Sequence, residues 1–207
     1  MAERLGVSRQ PVAQALTLMK SQGFVTEVGR RGLMVASLTP DYVSSMYEVR
    51  GAMDILAARL SAQRIAGPDG AAVRSAAQQD FNRLFEMGAQ ALELKSVTDL
   101  IKADVAFHGY IYELSGNTVI GQTMDLLWNR MRWVMSAYLR KYDWAKDTWG
   151  EHREIVTEIL VGNDDGAEAK VRKHLGNAIT LIESSIEEDD ALGFGGGLMG
   201  AVQAKAR

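Results

Sequence analysis

Four residues in this chain have the chemistry to hold one metal ion. His108, His152 and His174 are its only histidines, and Asp104 precedes His108 by one helical turn. Each histidine falls on the apolar stripe of a helical segment: His108 beside Phe107, His152 with Trp149 and Val156, His174 with Val171 and Leu175. An imidazole turned toward a core needs a partner, because an unpaired buried polar group costs about 1–3 kcal/mol. Asp104 sits on the same stripe as Leu100, Phe107 and Ile111, an expensive place for a lone carboxylate. A shared divalent ion satisfies all four. One carboxylate with three imidazoles suits Zn²⁺ first, and also Ni²⁺, Mn²⁺ or Fe²⁺. Taken singly, each ring reads better as an ordinary core or boundary histidine. The chain has no cysteine, so thiolate ligands and disulfides play no part.

The elements that must position these residues are helices. From Thr39 onward the pattern is helical throughout. Tyr42, Met46, Val49, Met53, Leu56 and Leu60 mark the inward stripe of the first helix, which starts at Thr39-Pro40-Asp41 and ends at Gly67-Pro68-Asp69-Gly70. Further helices are expected over about 71–87, 89–94, 98–114, 118–142, 148–161 and 165–188. Gly195-Gly196-Gly197 marks a flexible tail.

The first 38 residues differ in kind. They carry five basic residues against two acidic ones, a net +3, which leaves −6 of the total −3 for the rest. A basic head on an acidic body points to a polyanion partner for the head alone. A short helix, a break at Gly6, a second helix capped by Ser8 with Pro11 in its first turn, and two strands around Gly29-Arg30-Arg31-Gly32 follow in order. That is the order of a winged helix-turn-helix, whose second helix enters the major groove. Ser8, Arg9 and Gln10 lead that helix, with Arg suited to guanine and Gln to adenine. Arg30, Arg31 and Gly32 form a basic hairpin tip able to reach phosphate or minor groove.

Leu5-Gly6-Val7-Ser8-Arg9-Gln10-Pro11-Val12, with Ala15-Leu16, closely resembles the recognition helix of GntR-family transcriptional regulators, and Arg31-Gly32-Leu33-Met34-Val35 is similar to their wing. Ala13 and Gln14 stand where that family usually has a basic and an acidic residue. The chain opens inside the family's second helix, so the first helix has no counterpart and the domain is expected to be incomplete. Asp104-x-x-Phe107-His108, Leu114-Ser115-Gly116-Asn117 and the helices carrying His152 and His174 look like the FCD ligand-binding domain of the FadR subfamily. Tyr47-Glu48-Val49-Arg50 matches as well, with Asp54 where glutamate is common. The resemblance implies an all-α bundle with Asp104, His108, His152 and His174 as metal ligands, and a small organic acid bound beside the metal.

The expectation is therefore a mainly α protein with three parts: an incomplete winged helix-turn-helix over 1–38, an FCD helical domain over 39–188, and a tail over 189–207. Its expected function is a DNA-binding regulator, not an enzyme, responding to a metal and a small carboxylic acid. Operator DNA is the expected partner, and a cytoplasmic homodimer the expected form. No run approaches the ~20 apolar residues of a membrane span. Arg50 borders the core stripe and is suited to clamp a carboxylate, though a salt bridge to Asp54 explains it as well. Arg130 and Asn177 are secondary effector candidates, each more simply read as structural. Two alternatives remain. One is a metal-dependent enzyme acting on a small carboxylate, which the lack of a His-Glu-x-x-His signature disfavours. The other is a dimerisation module that has lost DNA binding.

Overall fold

The computed structural model describes residues 1–29, 32–36, 39–138 and 144–191. The chain divides into two units, one including Met1–Thr39 and the other spanning Pro40–Ile186.

In the first unit a single 3₁₀ turn over Glu3–Leu5 closes on Gly6, whose φ of 64° lies in the left-handed region. Helix α1 follows over Arg9–Ser21, then strands β1 over Val25–Val28 and β2 over Gly32–Val35. The strands pair antiparallel, from Val25 opposite Val35 to Val28 opposite Gly32. Ser8 occupies the cap position in extended conformation, but its hydroxyl accepts no cap hydrogen bond, contrary to the role its position suggests. Arg30 and Arg31 lie outside the described residues.

The second unit is helical: α2 over Pro40–Ala66, α3 over Gly70–Glu93, α4 over Val97–Leu114, α5 over Thr118–Tyr138, α6 over Trp144–Val161, and α7 over Asp164–Ala191. Helix α4 is central to the site and touches α2, α3 and α5. Ser96 caps it, accepting from the Asp99 N–H at 3.3 Å, and Gly116 at φ 74° turns the chain after its end. Arg59 ties α7 to α2 through Asp164, Asp165 and Glu168, at 3.0, 3.0 and 2.6 Å. The core is aromatic where α3, α4 and α6 meet, with Phe81, Phe85, Phe107 and Trp149 in edge or tilted contacts.

Two expectations change. The α2 stripe is rotated: Val43, Met46, Tyr47, Arg50, Asp54, Ala57, Ala58, Ser61, Ala62 and Ile65 are buried, while Val49 and Leu56 are 51% and 40% exposed. Small residues let α2 approach its neighbours closely, so bulk is not what marks its inner face. The segments over 71–87 and 89–94 are one helix, because Gly88 is a packing position rather than a stop. A Cβ there would lie 2.4 Å from the Trp149 indole. Gly88→Ala is therefore expected to lower stability by about 1–3 kcal/mol through overpacking. At an open helical site the same change stabilises by about 1 kcal/mol, so the sign of the shift in denaturation midpoint decides the matter.

Candidate metal and effector site

Three helices bring the four candidate ligands together. Asp104 and His108 come from α4, His152 from α6 and His174 from α7, and all four are buried. One nitrogen from each histidine lies within 4.8 Å of those of the other two. Asp104 Oδ1 is 3.4 Å from His152 Nε2 and 3.8 Å from His108 Nε2. Ligand bonds of about 2.0–2.2 Å place neighbouring donor atoms roughly 3.0–3.4 Å apart, so this set is near the spacing one small ion requires.

The hydrogen bonding points the same way. Asp104 Oδ2 and both ring nitrogens of His152 are buried without a hydrogen-bond partner. Orphans of this kind are rare in a packed core and call for an explanation. Burial raises the Asp104 carboxyl above its ordinary range. Burial, reinforced by nearby positive charge, holds His108 and His152 well below the usual imidazole value. Both rings are thus neutral at neutral pH, the form a metal requires. The donor set, one carboxylate and three imidazoles in a site otherwise short of partners, fits a divalent ion.

Each ring is held differently. His152 stacks on Phe107 with centroids 4.0 Å apart and planes 15° from parallel, and meets Trp149 edge-on. His108 Nδ1 faces Asp54 Oδ2 at 3.3 Å, and its Nε2 accepts from Arg50 Nη2 at 2.8 Å. His174 Nδ1 faces Glu151 Oε2 at 2.8 Å, and Asn177 donates to the other Glu151 oxygen. Burial pushes the Glu151 carboxyl up, but the hydrogen bonds from His174 and Asn177 outweigh it and leave it below its ordinary value.

Arg50 is 2% exposed and does two things at once. Its Nε donates to Asp54 at 3.1 Å, the salt bridge expected as the alternative to a ligand clamp. Its guanidinium also lies 4.7 Å from the centre of the Trp128 ring and helps line a cavity of about 250 Å³. Burial works against its charge, yet the facing Asp54, Tyr47 and Asp104 hold it above the ordinary arginine range. Burial likewise pushes Tyr47, which shares the cavity wall, up to about 12. Asp104 and His174 open onto the same cavity, as do Glu151 and Asn177.

Of the three effector candidates, Arg50 and Asn177 reach this cavity and Arg130 does not. Arg130 donates instead to the Tyr42 hydroxyl and stacks over its ring. On α5 the inward positions are Met131, Val134 and Met135, which turn Arg130 toward the start of α2. Sequence reasoning named Asp54 only as a salt-bridge partner of Arg50 and did not place Tyr112 or Glu151 beside the histidines. Only the Arg50–Asp54 spacing of four residues hinted at any of them.

At the amino-terminal end, Ser8, Arg9 and Gln10 are all exposed at the start of α1. Gly32 has a structural reason to be glycine, since a Cβ there would lie 2.7 Å from the Val28 carbonyl oxygen.

Residues 45–177 match the model of the FCD domain. The Nta operon transcriptional regulator of Aminobacter aminovorans is 26% identical over 194 residues, covering 91% of this chain and 86% of its own. A GntR transcriptional regulator from Rhodococcus sp. RHA1 has a similar structure, with a TM-score of 0.70 at 20% identity, over 88% of this chain and 84% of that one. The metal-free FCD domain of TM0439 superposes with a TM-score of 0.58 at 18% identity, over 74% of this chain and 99% of that one. The chain belongs to the FCD-domain family. It is a transcriptional regulator of the GntR type.

Proposed function

We propose that this regulator binds a divalent ion through Asp104, His108, His152 and His174, and that a small organic acid in the adjoining cavity modulates its hold on operator DNA. The observation that carries this reading is the meeting of four buried candidate ligands from three helices, three of their polar atoms unpartnered; two of the four, Asp104 and His174, line a cavity that also holds Arg50. Zn²⁺ suits the donor set best; Ni²⁺, Mn²⁺ and Fe²⁺ are the competitors. When bound, the ion supplies a positive centre for an anion, and Arg50 and Asn177 are placed to orient a carboxylate beside it.

The reading assigns 1–38 to DNA binding, 39–188 to effector binding and 189–207 to a tail. Ser8, Arg9 and Gln10 would face base edges, with Arg30, Arg31 and Gly32 at the wing. A homodimer in the cytoplasm is the working form. In support of the dimer, Val49 and Leu56 expose apolar surface on one side of α2. No helix among the described residues is long and apolar enough to cross a membrane.

The test is operator affinity measured with and without Zn²⁺ and a panel of small mono-, di- and hydroxycarboxylic acids. A coupled change of affinity, about 5–150-fold, is expected for at least one acid, and only when metal is present. Acids that bind without altering operator affinity would sink the effector role. Arg9→Ala should weaken the operator by about 1–3 kcal/mol and relax one base position. Equal loss on random DNA would reduce Arg9 to a phosphate contact.

A further inference from the structure

We propose that two carboxylates outside the donor set, Asp54 and Glu151, are positioning residues that fix His108 and His174 with the proton on Nδ1, so that both rings present the Nε2 lone pair to the ion. This rests on the metal reading above. A neutral imidazole carries its proton on either nitrogen, and the hydrogen bond made by one nitrogen decides which remains free to ligate.

At His108 the geometry leaves one choice. Arg50 has only donors, so Nε2, at 2.8 Å from its Nη2, is an acceptor and bears the lone pair, which Arg50 must release before an ion can take it. The proton is on Nδ1, which faces Asp54 Oδ2 at 3.3 Å. Asp54 is itself held, by Arg50 Nε at 3.1 Å on the same oxygen and by the Tyr112 hydroxyl on the other. At His174 an ionised Glu151 only accepts, so Nδ1 is again the donor, at 2.8 Å. Asn177 fixes the second oxygen of Glu151. His152 is the exception. Neither of its nitrogens has a hydrogen-bond partner, and stacking on Phe107 orients the ring without choosing a tautomer. Two ligands are thus set in advance by carboxylates on α2 and α6, and the third is set by the ion.

With only three histidines in the chain, its imidazole nitrogen spectrum is readable. Long-range ¹H–¹⁵N correlations should show Nδ1–H at His108 and His174 with and without added Zn²⁺, and a single tautomer at His152 only with Zn²⁺. Glu151 has a side chain 16% exposed, which makes it the tolerant place for a variant. Glu151→Ala should release the His174 tautomer and lower Zn²⁺ affinity about 10–100-fold. Glu151→Gln retains an acceptor oxygen, so it should keep Nδ1–H at His174 and recover most of that affinity. The proposal fails if His108 or His174 carries its proton on Nε2, or if Glu151→Ala binds Zn²⁺ as wild type does. Wild type that takes up no Zn²⁺ overturns the metal reading itself, and the Nδ1–H pattern then has no ion to serve. Loss of affinity in Glu151→Ala with an unchanged His174 tautomer would also defeat the proposal, leaving Glu151 as a charge partner only.

Discussion

Replacing Arg50 with alanine should cost the helical unit about 3–5 kcal/mol, the loss expected when one member of a buried ion pair is removed. Arg50 and Asp54 are each 2% exposed and sit one turn apart on the inner face of α2. Without the guanidinium, Asp54 keeps only the Tyr112 hydroxyl and His108 Nδ1, neither of them charged at neutral pH, against the cost of a buried carboxylate. The cavity left by the long side chain adds to the loss. Denaturant midpoints of Arg50→Ala, Asp54→Ala and the double variant measure this directly. The double variant should be more stable than the sum of the single losses, with a coupling above about 1 kcal/mol. A loss under about 1 kcal/mol for Arg50→Ala would mean water reaches Asp54 and the pair is not buried in solution. The same burial makes Arg50→Ala a poor probe of the effector, because it loosens the fold that holds His108. Arg50→Lys keeps a charge near Asp54 and loses the planar fork, so it separates clamping from stability more cleanly.

The second large effect concerns His174. Wild type in Zn²⁺ at about 1,000 times its dissociation constant should gain about 4 kcal/mol of stability, seen as a rise in melting temperature. His174→Ala should lose most of that gain at the same Zn²⁺ concentration. Each protein is best compared with and without metal, because the substitution also removes the Glu151 hydrogen bond whether or not metal is present. An equal metal-induced rise in wild type and His174→Ala would exclude His174 from the ligand set. His152→Ala is less informative, since the stack on Phe107 disappears with it.

Asp104 and His108 were legible as a pair because four residues is one turn of the same helix, and both fall on a stripe that is otherwise Leu100, Phe107 and Ile111. His152 and His174 were legible for a similar reason, since a polar residue at a core position of its own helix stands out. The α2 face was misread. Hydrophobic counting favoured Val49 and Leu56 over Ala57, Ala58 and Ser61, although the small residues are the ones that let α2 press against its neighbours. The single helix α3 was read as two, 71–87 and 89–94, because the reason for glycine at 88, the Trp149 ring, belongs to another helix.

The sequence by itself determined what each helix owns: its periodicity, its polar intruders, and the pairs one turn apart. Those follow from backbone geometry, which repeats every 3.6 residues whatever lies opposite. Only the tertiary structure decided what the ring nitrogens of His108 meet, that Glu151 backs His174 across 23 residues, and that Arg50 reaches His108 across 58. Such contacts depend on how helices rotate against one another. That rotation is set by the summed packing of many side chains, to which no local spacing corresponds.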